Sequence, residues 1–105
     1  MTDNSRRTGA ALEAHYRFLA WLIPAVEKFP KSHKFTIGDR IQTIALDVLE
    51  ALVEATYTKE RGQHLRRANL GIEKLRLLLR LAADLTMLDR RRYERSARLT
   101  RRKRR

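Results

Sequence analysis

Arginine is the residue with the most chemical potential in this 105-residue chain, and it gathers at one end. Residues 90 to 105 hold ten of the twenty-four Lys and Arg and a single carboxylate, Glu94, so they carry +9 of the formal +12. The other 89 residues have fourteen basic and eleven acidic side chains and are nearly balanced. Such an arm suits a polyanion: each phosphate it neutralises releases condensed counterions, which makes binding favourable and steeply salt dependent. RNA, DNA or an acidic protein surface are the matching partners. Charge that merely keeps a small domain soluble is the competing reading, and solubility does not require clustering at one end.

Within the arm, Arg91, Arg95, Arg98 and Arg102 recur at i, i+4, i+7 and i+11 and would line one helical face. Arg101, Lys103, Arg104 and Arg105 extend the charge with no apolar residue to order it, so the RRKRR end is expected to fray. Tyr93 offers a ring that can stack on a base, although packing against neighbouring helices is the more economical reading. A second basic cluster joins Arg66 and Arg67 to Lys59 and Arg61, and a third places Lys31 and Lys34 around His33. No groove-reading motif accompanies them, so contacts to phosphate should dominate and sequence discrimination should be weak.

Signals for catalysis are missing. His15, His33 and His64 are scattered, with no paired carboxylate, HExxH or nucleophile motif beside them, and no Gly-rich loop is built to cradle phosphate. Asp47, Glu50 and Glu54 form a carboxylate stripe in steps of three and four, but no His joins it at ligand spacing. The stripe reads as a docking strip for basic residues of an adjacent subunit, with a solvated face as the alternative. Absence of cysteine excludes disulfides and thiolate metal sites and suits a reducing cytoplasm. The expectation is a cytoplasmic protein that is not an enzyme and uses no metal or cofactor.

These residues need helices to position them. Four Gly, two Pro and an abundance of Ala, Leu, Glu and Arg favour an all-α domain. Arg6-Arg7 resembles the start of an export leader, but Glu13, His15 and Arg17 interrupt the hydrophobic region that a leader needs. Runs such as Leu77-Leu78-Leu79 are hemmed in by Arg76 and Arg80 and fall far short of a membrane span, so a soluble protein is expected.

Residues 1–9 read as a loose lead-in, 10–100 as an up-down four-helix bundle with a short, basic fourth helix, and 101–105 as a basic tail. Leu12, Tyr16, Leu19, Ile23 and Val26 predict a first amphipathic helix to about Lys28, kinked or broken near Leu22 by Pro24. Phe18 and Trp21 lie off that stripe and predict a second apolar face that meets another chain. Phe29, Pro30 and Phe35 should pin a connector, after which Thr36 to Asp39 reads as a capping box opening a second helix to about Thr58. Its core positions are Ile41, Ile44, Val48, Leu52 and Ala55. Leu65, Ala68, Ile72, Leu75, Leu79 and Ala82 form the seam of a third helix, from Gln63 to about Leu85, in which Gly71 permits close approach of a neighbour. Asp89 is the expected N-cap of the fourth, with Leu99 its last apolar anchor.

Several stretches together resemble a known family. Trp21-Leu22-Ile23-Pro24 and the connector FPKSHKFTIGDRI, Phe29 to Ile41, are similar to the signature of Avd, the accessory variability determinant of diversity-generating retroelements. Leu65-Arg66-Arg67-Ala68-Asn69, Leu75 to Ala82, Arg92-Tyr93-Glu94 and Ala97-Arg98-Leu99 add to the likeness, which covers roughly residues 12 to 99. The resemblance implies a four-helix bundle assembled as a basic, barrel-like homopentamer. It further implies a partner reverse transcriptase and its template RNA, in a system that copies RNA into mutated cDNA. Related bundles encoded as intervening sequences in ribosomal RNA genes supply the alternative, an rRNA-associated protein without a polymerase partner. A purely structural, protein-binding module is the third.

Overall fold

The structure, a computed structural model, describes residues 3–85 and 87–100. Helix α1 (Asp3–Glu27) is followed by a connector, then by α2 (Asp39–Tyr57), α3 (Arg61–Asp84) and α4 (Arg90–Leu99). Helix α2 packs along both α1 and α3, and α4 packs against α3 and α1, which closes an up-down four-helix bundle in chain order. The ten residues of α4 span about 15 Å, against about 36 Å for the twenty-four of α3. No strand occurs among the described residues.

Helix α1 departs from the sequence expectation in three ways. It starts at Asp3, within the expected lead-in, and of the kink or break expected near Leu22 the break does not occur, the helix passing through Pro24 to Glu27. Proline here removes one donor only a turn from the helix end, and burial of Leu22, Ala25 and Val26 holds that last turn on the core. The buried stripe is also rotated. His15, Phe18, Leu19, Leu22, Ala25 and Val26 face inward, whereas Tyr16 and Ile23 remain 63% and 40% exposed. Both stripes satisfy steps of three and four in a helix that is apolar over much of its circumference, and the rotation that buries Phe18 leaves the Tyr16 hydroxyl in water. The Phe18 ring stacks on Trp21 with centroids 6.1 Å apart and lies 5.6 Å from the His15 ring.

The connector is helical almost throughout. A single turn at Lys31–His33 opens after Pro30, whose carbonyl accepts from the backbone N–H of both His33 and Lys34 at 2.9 Å. A π-turn, Lys34–Gly38, then runs directly into α2. The expected capping box does not form, because a helix already under way supplies carbonyls to the first amides of α2 and has no free start to cap. Gly38 takes helical φ −60° and ψ −47°, and the Thr36 hydroxyl donates to the His33 carbonyl at 3.2 Å. Phe29 is buried and anchors the connector as expected, but Phe35 is 65% exposed and pins nothing.

The centre of the bundle follows the sequence closely. Ile41, Ala45, Val48, Leu52 and Ala55 of α2 are buried against Ala68, Leu75, Leu79 and Ala82 of α3, with Ile44, Leu65 and Ile72 packed at the edge. A Cβ built on Gly71 would overlap the Val48 side chain, so these helices cross where only glycine fits. Asp89 caps α4 as expected, its Oδ1 accepting from the Arg92 backbone N–H at 2.8 Å. Leu99 is 37% exposed and is not the anchor. Ser96 and Thr100 are buried instead, and their hydroxyls satisfy themselves by donating to the carbonyls of Tyr93 at 2.7 Å and Ser96 at 2.8 Å. Small residues let this largely charged helix lie close to the bundle.

Candidate nucleic-acid interface

Helix α4 positions the strongest candidates. At 100° per residue, Arg91, Arg95 and Arg98 fall on the side opposite Ser96 and Thr100, and all three are exposed. None of them makes an ion pair among the described residues. Their neighbours differ: Arg90 lies 3.6 Å from Glu94, and Arg92 lies 4.0 Å from Asp89. Guanidinium groups with no internal carboxylate keep their full field for an external anion. Arg101, Arg102, Lys103, Arg104 and Arg105 lie outside the described residues.

The other two clusters are partly spent on the fold. Arg67 donates to Glu54 Oε1 at 2.8 Å across α2 and α3, and Arg61 Nε donates to the Ala55 carbonyl at 3.1 Å. Arg66 and Lys59 remain exposed beside them. Lys34 pairs with Glu27 at 2.9 Å and ties the connector to α1, while Lys31 is exposed. These pairings break each cluster into structural and outward cations.

The residues expected at an oligomer interface also divide. Phe18 is a correction: it is 1% exposed, covered by its own chain, and cannot meet another. Trp21 is half-buried beside it. Asp47, Glu50 and Glu54 are exposed on α2, but Glu54 is already occupied by Arg67 and lies 3.8 Å from His64 Nδ1. The strip available to a neighbour therefore shortens to Asp47 and Glu50.

His15 and His64 are both buried against the bundle. His15 Nε2 donates to the Ala45 carbonyl at 2.8 Å, which fixes the tautomer because a carbonyl can only accept. Burial holds His15 below the usual 6.5, and the bond to Ala45 opposes that shift. His64 is buried at the start of α3 with no hydrogen-bond partner for Nδ1. Among the described residues no group of three His, Asp or Glu could hold a metal ion. No described helix is long and apolar enough to cross a membrane.

A cavity that helical periodicity does not mark opens between α3 and α4. It has a volume of about 240 Å³ and is lined by Glu73, Arg76, Leu77 and Arg80 on one side and Tyr93 and Ala97 on the other. Arg76 and Arg80 stand four residues apart, which was the available signal, but in sequence they register only as charges flanking a leucine run. Arg76 Nη1 donates to the Thr100 carbonyl at 3.2 Å and ties down the end of α4.

The family model described as bAvd-like matches residues 10–102. No curated protein and no solved structure matches the chain.

Proposed function

Because this chain belongs to the bAvd-like family, we propose that it is a noncatalytic accessory protein of a diversity-generating retroelement. It binds template RNA or its cDNA through arginine and presents a helical platform to a reverse transcriptase. The observation that carries this reading is the unpaired ridge of Arg91, Arg95 and Arg98 on a helix whose opposite side is anchored to the bundle. A ridge fixed in this way offers phosphate a row of cations whose backbone spacing is already set, so that binding need order only the side chains.

Several copies acting together multiply such weak interactions by avidity, and a homopentamer is the assembly we propose. Outward apolar residues are the surface we assign to self-association: Tyr16, Ile23, Phe35 and Leu70 are between 40% and 65% exposed. Asp47 and Glu50 supply carboxylates for basic residues of the adjacent subunit, with Trp21 at the edge of the same assembly.

The decisive experiment is a salt titration of single-stranded RNA binding. Replacing Arg91, Arg95 and Arg98 with Gln should weaken binding and reduce the slope of log affinity against log salt by about 0.7 for each phosphate that is no longer neutralised. Deleting residues 101–105 should act in the same direction. An unaltered slope in both variants overturns the electrostatic mechanism. Multi-angle light scattering on the unmodified chain tests the assembly, and a monomer removes the avidity argument.

A further inference from the structure

Resting on the nucleic-acid reading above, we infer that the cavity between α3 and α4 is a base-binding pocket that takes one unstacked nucleobase against the Tyr93 ring. The walls decide the ligand class. Leu77 and Ala97 are apolar, Tyr93 is half-buried, and two guanidinium groups come from α3. A hole built for a bare phosphate would exclude carboxylates, yet Glu73 lines this one. A base satisfies every component: its π-face lies on Tyr93, an exocyclic amino group donates to Glu73, and its phosphate meets Arg80. Arg80 is exposed and makes no ion pair among the described residues, so it is available. Arg76 is held by the Thr100 carbonyl and acts as a positioning residue that keeps α4, and with it Tyr93, against α3.

The pocket and the arginine ridge occupy opposite sides of α4. Ser96, Ala97 and Thr100 share the pocket side with Tyr93, while Arg91, Arg95 and Arg98 point away from it. A strand that lays phosphates along the ridge can therefore turn about this short helix and lodge a base behind it. The pocket gives the protein a preference for unpaired nucleic acid, because a base within a duplex has no free face to offer.

The test uses two single-stranded RNA oligonucleotides with equal numbers of phosphates, one bearing bases throughout and one with abasic sites. A third carries a single 2-aminopurine. The unmodified chain should bind the base-bearing strand about tenfold more tightly and quench the 2-aminopurine on stacking. Tyr93→Leu should abolish both the preference and the quenching; Tyr93→Phe should retain them. Arg80→Gln should weaken both strands alike. Circular dichroism of Tyr93→Leu confirms that α4 stays folded, and if it does not, Tyr93→Phe against Arg80→Gln still separates stacking from charge. Equal binding of the two strands by the unmodified chain overturns the pocket and leaves the ridge intact. Binding of neither strand overturns the pocket together with the reading on which it rests.

Discussion

His15 Nε2 and the Ala45 carbonyl oxygen are 2.8 Å apart across the α1 and α2 interface, a side chain bonded to the backbone of a neighbouring helix inside the core. The bond lets a polar ring share a layer with Phe18 without leaving its donor unmet. It also makes the interface sensitive to protonation, since a buried imidazolium would have to be accommodated where a neutral ring now fits.

That sensitivity has a definite sign. Burial depresses the His15 pKa in the folded chain below the 6.5 of an exposed imidazole, so the folded state disfavours protonation. Its stabilising contribution is complete above 6.5 and is lost as pH falls through the folded value. Urea midpoints measured from pH 8 to pH 5 should fall toward acid, and His15→Gln should flatten the fall. Parallel profiles for the two proteins would show that His15 is not the group responsible.

Gly71 offers a packing test. Gly71→Ala should destabilise the bundle by about 1–3 kcal/mol, because the new methyl meets Val48 where the helices cross. Val48→Ala alone should also destabilise, by leaving space. The double variant Gly71→Ala, Val48→Ala should be more stable than the sum of the two single effects allows, and thermal melts read this coupling directly.

Asp89 is a local prediction. Removing its cap with Asp89→Ala should cost about 1 kcal/mol, and Asp89→Asn or Asp89→Ser should recover most of it. Amide exchange should place the destabilisation in α4 and not in α2, because the ten-residue α4 packs on the rest of the bundle far less extensively than α2 does.

Glu54 and Arg67 make a cross-helix pair at 2.8 Å with both side chains about half exposed. Solvent screens such a pair, so Glu54→Gln should cost less than about 1 kcal/mol, and the difference should shrink further in high salt. Glu50, which pairs with no cation among the described residues, should behave differently: Glu50→Lys should change the oligomeric state measured by light scattering and leave monomer stability nearly unmoved.

How much of this was legible in the sequence depends on what each residue's neighbours had to decide. The seams of α2 and α3 read correctly because their buried residues recur in unbroken steps of three and four, from Ile41 to Ala55 and from Ala68 to Ala82, even though Leu46, Val53, Leu70 and Leu77 of the same helices face outward. Asp89 read correctly because a cap is satisfied by amides two or three residues away. Helix α1 did not. With Leu12, Tyr16, Phe18, Leu19, Trp21, Leu22 and Ile23 spread around its axis, periodicity alone permits two stripes, and only packing against α2 selected the one containing Phe18. The capping box failed for a related reason: the side chains were suitable, but the connector had already become helical upstream.

What the chain determined by itself is therefore the helical architecture, the family to which residues 10–102 belong, and the crowding of positive charge at one end, since each of these is written in residue type and spacing. Tertiary structure decided which cations remain free. Arg67, Lys34 and Arg76 are engaged by groups 13, 7 and 24 residues away, and Arg91, Arg95 and Arg98 are engaged by none among the described residues. It also brought Tyr93 to Arg80 across the α3 and α4 seam. Long-range neighbours of this kind are set by how helices rotate and dock, a choice made by the whole core and invisible along any one stretch of sequence.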